Sequence, residues 1–305
     1  MSMLQSKNSE AFLAVIESGS FEMAAERLCI TPSAVTLRVQ ALEKALGHIL
    51  VIRERPCKCT ISGQQLLAYL QQTKLLEQNL LQDLQGKTTT SAFYTLNIAS
   101  NADSLATWLL ATIRPVLIKE NIALQLKVAD QTHTHHLLEA GLVSACISTE
   151  AQSIKGCEVK SLGSMDYHMV ASPEFIQHWF PHGIDREGLK SAPAVIFNEQ
   201  DLMHHHIITK YFGLNMTQYP HHLIPSSASF LEAIQLGLGF GMVPEFQMRE
   251  ALTTGALIDL LPHAKTEVKL YWHHWKRQSV PLQKLTEHLL QYTPLKSSSN
   301  IKDGD

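Results

Sequence analysis

Near the start of the chain, polar side chains recur at helical spacing beside apolar ones. Ser33, Thr36, Leu37, Gln40 and Lys44 share one face of a helical segment, and Val35, Val39, Leu42 and Leu46 share the opposite face. Short polar groups at the N-terminal end of a helix suit base edges in the major groove of DNA, and a glutamine can bond them bidentately. Arg38 falls at the flank of that face, nearer to phosphates than to bases. Arg53, Arg55 and Lys58 follow on a β-prone stretch and supply the positive charge that a phosphate backbone attracts. An ordinary three-helix module with a solvated polar face has the same spacing, so the pattern alone leaves both readings open.

Other groupings point to less. The 16 histidines cluster, at His133, His135 and His136, at 204–206, at His221 and His222, and at His273 and His274. Zinc sites need Cys and His that converge at characteristic spacings. These groups lie far apart and none is joined by a CxxC, so surface histidines and no metal are expected. Cys57 and Cys59 form a CxC, for which thiol redox sensing is an alternative to a plain structural role. Gly237, Gly239 and Gly241 sit after a helix and before a strand, the reverse of the dinucleotide-binding order. No P-loop, GxSxG or HExxH occurs, so no cofactor is expected and no nucleophile–base set supports an enzyme.

The elements that would position the polar face are short and well punctuated. Phe12, Val15 and Ile16 form one apolar stripe, and Ser20 caps a second helix carrying Ala24, Ala25 and Leu28. Thr31-Pro32 sets a capping hydroxyl before a proline at the first position of the third helix. Residues 50–60 read as β, which completes a winged helix-turn-helix over 1–61. Leucine pairs at 66/67, 75/76 and 80/81, with Leu70 and Leu84, make one long helix over 62–86 whose apolar face needs a partner. Residues 86–91 are a polar hinge. Strands at 94–99, 122–128, 145–148, 167–171, 194–197, 223–224 and 268–272 then alternate with helices at 104–117, 133–140, 204–212, 227–236 and 282–292. Such alternation implies parallel α/β sheets with ligands at the carboxyl ends of strands.

Composition bounds these readings. The 305 residues suit two domains, and 45% hydrophobic content is enough for a substantial core. With a net charge of −3 there is no global basic excess, so contact with nucleic acid must be a local patch. No apolar run reaches the ~20 residues that span a membrane, and the first residues lack the cleavable hydrophobic core of a signal peptide. Five cysteines, an odd number, suggest reduced thiols. A cytoplasmic protein is expected, which argues against a solute-binding protein with an unrelated appendage.

The run Phe12…Ser18-Gly19-Ser20-Phe21…Ala24-Ala25…Leu28…Thr31-Pro32-Ser33-Ala34-Val35-Thr36…Val39…Leu42-Glu43…Leu46-Gly47 resembles the signature of LysR-type transcription regulators. The resemblance continues through the long helix to Gly237-Leu238-Gly239-Phe240-Gly241-Met242-Val243-Pro244. Asn101-Ala102-Asp103-Ser104-Leu105-Ala106-Thr107-Trp108-Leu109-Leu110 is similar to the arginine/lysine-responsive branch, which controls basic amino-acid export and metabolism. Leu28-Cys29-Ile30-Thr31, Asp166-Tyr167 and Tyr271-Trp272-His273 resemble it too. Two positions depart from the family: Pro32, commonly glutamine, and Leu37, commonly polar. Both lie where bases are read, so the family's operator sequence does not carry over.

The resemblance implies an α+β multi-domain chain: winged helix-turn-helix, linker (dimerisation) helix, and a two-lobed, periplasmic-binding-protein-like effector domain over 92–295. Lobe I is expected at about 93–163 and 267–295, lobe II at about 164–266, and a disordered tail at 296–305. The implied partners are double-stranded DNA, a small effector (lysine or arginine), a second copy or a tetramer of copies, and RNA polymerase in activation. Ser20, Thr31, Pro32, Ser33, Thr36, Leu37, Arg38, Gln40, Arg53, Arg55 and Lys58 make up the expected DNA-binding set. For the effector, amides at the helix start near Ser104 suit a carboxylate, and Asp103 and Asp130 suit a cation. Ser100, Asn101, Thr132, Ser148, Asn198, Asp201 and Ser226 stand at other strand or helix ends. Helix capping is the alternative role for Asp103 and Ser104. With Ala129 and Gln131 flanking Asp130, the negative charge is thinner than in relatives.

Overall fold

The computed structural model describes residues 6–85, 93–129 and 133–296. The expected hinge at 86–91, Asp130, Thr132 and the tail beyond Lys296 lie outside the described residues.

Helices α1 (Lys7–Ser18), α2 (Phe21–Leu28) and α3 (Pro32–Leu46) pack into a three-helix core. Capping fixes the turns. Ser20 Oγ accepts from the Met23 amide at 3.0 Å, and Thr31 Oγ1 accepts from the Ala34 amide at 3.2 Å, with Pro32 in the first turn. Phe12, Val15, Ala24, Val35 and Val39 are sealed from solvent. Strands β1 (Val51–Ile52) and β2 (Lys58–Cys59) pair antiparallel as the wing. Glu43 Oε1 accepts from the amides of Leu50 (2.9 Å) and Val51 (3.3 Å), tying the wing to α3. The long helix α4 (Ile61–Gln85) is about 37 Å long at 1.5 Å per residue. Its first turns enter the same core through Leu66 and Leu70. Gly63 lets α4 approach so closely that an added Cβ would sit 2.1 Å from the Leu50 carbonyl oxygen. The side chains of Leu75, Leu76, Leu81 and Leu84 lie outside the described set.

The remaining chain forms the two-lobed domain. In the first lobe, β3 (Tyr94–Ser100) pairs parallel with β4 (Ile122–Val128) on one side and β5 (Ala145–Ser148) on the other. Strand β6 (Cys157–Ala171) runs antiparallel to β11 (Thr266–Trp275) along its length, and β11 joins β5. The far part of β6 takes β9 (Gly241–Pro244) and β10 (Ile258–Asp259) in the second lobe. There β7 (Ala194–Ile196) and β8 (His221–Leu223) pair in parallel, with a bridge from Ala194 to Phe240. The expectation of parallel sheets is therefore corrected: the sheet is mixed, because β6 and β11 pass through both lobes as an antiparallel pair. From sequence, only residues 167–171 of β6 and 268–272 of β11 read as strand. Gly163 in β6, at φ +111, breaks the alternation where the pairing with β11 shifts register.

At that crossing Leu295 and Lys296 lie across β6. A Cβ on Gly163 would meet the Lys296 carbonyl at 2.5 Å. Lys296, which by sequence opens the polar tail, exchanges backbone hydrogen bonds with Ser164 and sets its Nζ 2.7 Å from both Asp166 and Glu245. Burial alone would raise the Asp166 pKa, but hydrogen bonds from Lys296 and Lys265 outweigh it and hold the carboxyl below its ordinary value.

One helix follows β3 directly: α5 (Ala102–Ser104), a π-helical turn (Leu105–Leu109) and α6 (Leu110–Lys119). Packing of α6 against α13 (Val280–Tyr292) closes the first lobe. The other helices are α7 (His133–Glu139), α8 (Pro173–Trp179), α9 (Arg186–Ser191), α10 (Leu202–Phe212), α11 (Ser227–Gln235) and α12 (Glu245–Thr253). Of these α8, α9 and α12 have no counterpart among the helices expected from sequence.

Candidate functional site

On α3 the buried Val35, Val39 and Leu42 fix the rotation, and Thr31, Pro32, Ser33, Leu37, Gln40 and Lys44 are exposed on the other side. The hydroxyls there are engaged locally. Thr36 donates to the Pro32 carbonyl at 3.0 Å, and Thr31 Oγ1 lies 3.0 Å from Ser33 Oγ while capping the helix. Arg38 is half-buried at the flank. Arg53 lies 5.1 Å from the centre of the Phe21 ring, which braces it beside α2. Arg55 is exposed, and Lys58 makes an exposed 3.4 Å pair with Glu54. Cys57 and Cys59 are half-buried; burial raises the Cys57 pKa and pushes that of Cys59 up to about 11. Both are therefore thiols at neutral pH, which runs against the redox alternative.

The two lobes enclose a cavity of about 510 Å³. It opens at the carboxyl ends of β3, β4, β5, β7 and β8, which contribute Asn101, Ala129, Thr149, Asn198 and Pro225 in turn. Asn101 holds the N-cap position of the helix after β3, yet its side chain caps nothing. It is 2% exposed, and neither its Oδ1 nor its Nδ2 has a hydrogen-bond partner. Behind it Ser104 Oγ and Trp108 Nε1 are also buried and unpaired.

Asp103 reaches across to the second lobe. Tyr167 Oη donates to its Oδ2 at 2.7 Å and Ser227 Oγ donates to its Oδ1 at 2.6 Å. Gln247 Nε2 supports Ser227, donating to its Oγ at 3.0 Å. Asp103 thus bonds across the lobes rather than capping its helix. On the facing side, Asp201 caps α10 by accepting from the Met203 amide at 3.1 Å. Burial, reinforced by the negative charge of Asp103, pushes the Asp201 pKa up. Among the described residues lining the cavity there are two carboxylates and no Lys, Arg or His.

Of the expected effector residues, Asn101, Asp103, Asn198 and Asp201 line this cavity. Ser100 and Ser104 are buried behind the wall, Ser148 lies one residue before the lining Thr149, and Ser226 is exposed as the cap of α11. The lining also contains Tyr167, Ser227 and Gln247, absent from the expected set. Tyr167 had a sequence signal in the Asp166-Tyr167 resemblance; Ser227 and Gln247 had none.

The expectation that the clustered histidines lie on the surface is corrected at three positions. His273 and His274 are buried in the second half of β11, where successive residues are covered, and bond the Glu150 and Trp275 carbonyls. His204 lies on the inner side of α10, its ring 5.2 Å from that of Phe240, and burial pushes its pKa down to about 3. Among the described residues no group of three or more His, Cys, Asp or Glu is placed to hold a metal ion, and no helix is long and apolar enough to cross a membrane.

A capped reading helix with a basic wing, joined to a two-lobed ligand cavity, defines a class. Residues 7–64 match the family described as bacterial regulatory helix-turn-helix protein, lysR family, and residues 94–294 match the LysR substrate binding domain. The chain belongs to the LysR family of transcription regulators. It is 41% identical to the HTH-type transcriptional regulator ArgP of Salmonella typhi, over 93% of this chain and 94% of that protein. The ArgP of Photobacterium profundum is 40% identical over 92% and 93%. Among solved structures, ArgP from Mycobacterium tuberculosis has a TM-score of 0.80 at 33% identity, covering 96% of this chain and 98% of that one. Full-length LysG from Corynebacterium glutamicum with bound effector Arg has a TM-score of 0.70 at 33% identity, covering 93% and 96%. The chain is an ArgP/LysG-like regulator, a DNA-binding protein that responds to a small effector.

Proposed function

We propose that the inter-lobe cavity takes arginine or lysine and that its occupancy changes how the regulator sits on promoters of basic amino-acid export and metabolism genes. The observation that carries this reading is the charge of the cavity. Two carboxylates face it from opposite lobes, and no basic side chain stands among its described lining residues. An anionic, partly desolvated cavity favours a cation. A basic amino acid also has a carboxylate, for which the amides of the helix start and the unpaired Asn101 amide are suitable donors. The volume falls within the roughly 300–1,000 Å³ range of ligand pockets. The arginine held by the similar LysG supports the same reading. Asp130 and Thr132 complete the proposed effector set.

The regulator is cytoplasmic, pairs through α4, and extends to a tetramer through its effector domains. Its bound state contacts RNA polymerase, and its output is binding, not turnover. Calorimetry on the full-length protein with L-arginine, L-lysine and L-leucine tests the effector: the two basic amino acids bind and leucine does not. Absence of heat from both at millimolar concentration overturns the assignment.

A further inference from the structure

The DNA-reading face of α3 has an unusual composition. Leu37 stands at its centre, 65% exposed, while the core side of the helix is filled by Val35, Val39 and Leu42. A leucine so exposed contributes nothing to packing, and polar neighbours surround it. The hydroxyls nearest to it are already engaged within the helix: Thr36 with the Pro32 carbonyl, Thr31 with the Ala34 amide and Ser33. Pro32 beside them is exposed and has no N–H. The N-terminal half of the face therefore has few free donors, and Leu37 is its large apolar side chain. The next outward group, the Gln40 amide, has two donors and an acceptor to offer.

The major groove holds one apolar landmark, the 5-methyl group of thymine; every other base edge there presents donors or acceptors. A leucine set against guanine, cytosine or adenine would strip water from polar atoms and return no hydrogen bond. Against a thymine methyl the same burial is favourable. We infer that Leu37 reads a thymine methyl in each half-site, so that the operator is specified at that base pair by an apolar contact instead of a hydrogen bond. Gln40 lies three residues on, about 4.5 Å along the helix axis, against a base-pair step of 3.4 Å. It therefore falls one or two base pairs away, where adenine is its bidentate partner. The inference rests on the DNA-binding role of the family and is independent of which effector fills the cavity.

The test uses full-length protein and a site selected from a randomised duplex pool. Each thymine of the site is replaced in turn by deoxyuridine, which removes only the methyl group, and affinity is read by fluorescence anisotropy at fixed salt. Loss of one buried methyl weakens binding about four-fold per half-site, or about fifteen-fold when both half-sites are changed. The expected result is one thymine per half-site with that sensitivity for the parent and for Leu37→Met, and none at the same position for Leu37→Ala. Circular dichroism melts of the three proteins should coincide, since Leu37 is exposed. If no deoxyuridine position loses its effect in Leu37→Ala, or if Leu37→Ala weakens every site equally, the thymine contact is wrong.

Discussion

Replacing Asp103 with asparagine separates two roles that its carboxylate combines. In the parent, Tyr167 and Ser227 both donate O–H groups to it from the second lobe, at 2.7 and 2.6 Å. Asparagine keeps one acceptor and gains two donors, and a hydroxyl can turn to accept from them, so the cross-lobe contact survives while the charge is lost. A cation about 4 Å from a carboxylate at an effective dielectric near 20 is held by about 4 kcal/mol. Removing one member of such a desolvated pair costs about 2–5 kcal/mol. Asp201 remains to supply negative charge, so the lower half of that range applies, about 2–3 kcal/mol or roughly 30- to 150-fold in affinity for arginine. Calorimetry reads the affinity and a thermal melt of the ligand-free protein reads the fold. The expected pattern is a weakened Kd with an unchanged Tm, and Asp103→Ala should in addition lower the Tm. Arginine binding to Asp103→Asn as tight as to the parent would remove Asp103 from the effector site and leave it only the cross-lobe bond.

Two further outcomes follow from burial and close approach. Gly63→Ala sets a methyl 2.1 Å from the Leu50 carbonyl, so wing and α4 must part; this should cost about 1–3 kcal/mol and weaken DNA binding while arginine affinity holds, as melts and titrations would report. His204 has a folded pKa of about 3 against an ordinary 6.5, so the unfolded chain binds more protons between those values. Stability is then full above about pH 6.5 and falls as pH drops below it, by roughly 2 kcal/mol at pH 5. His204→Phe should flatten the pH dependence of Tm over that window, and an unchanged slope would show that another group titrates there.

Sequence was most informative where one element carries its own signal. The reading helix could be oriented because Val35, Val39 and Leu42 recur at its period and Thr31-Pro32 marks its start. Asn101 and Asp103 were reachable because a clean strand leads straight into a helix. On the opposite wall Asn198 and Asp201 were reached in the same way, at a strand end and a helix start, but Tyr167, Ser227 and Gln247 were not. Tyr167 lies in a strand that changes lobes, Ser227 in the first turn of a helix, and Gln247 in a helix with no expected counterpart. Their convergence on Asp103 spans separations of 64 and 124 residues, which local periodicity does not register. His273 and His274 escaped for a related reason: the successive residues Trp272, His273 and His274 of β11 are all buried, so alternation does not report exposure there.

The same convergence indicates how ligand and lobe geometry are coupled. A carboxylate offers about four acceptor positions, and Tyr167 and Ser227 occupy two of those on Asp103. A guanidinium or ammonium group can take the others without displacing either hydroxyl, so its binding adds to the contact that already joins the lobes. On the proposed binding mode Asp201, on the second lobe and raised in pKa by burial and by Asp103, would gain from the same cation, which would screen the repulsion between the two acids. Both effects stabilise one arrangement of the lobes over others, and a ligand shifts a conformational equilibrium only through such differential interaction. Strands β6 and β11 run through both lobes. They cross between lobes at Gly163, where Lys296 is fastened to Asp166 and Glu245. Tyr167, which bonds Asp103 at the cavity, and Asp166, which holds Lys296, are neighbours on β6, so the cavity wall and this C-terminal segment meet on one strand.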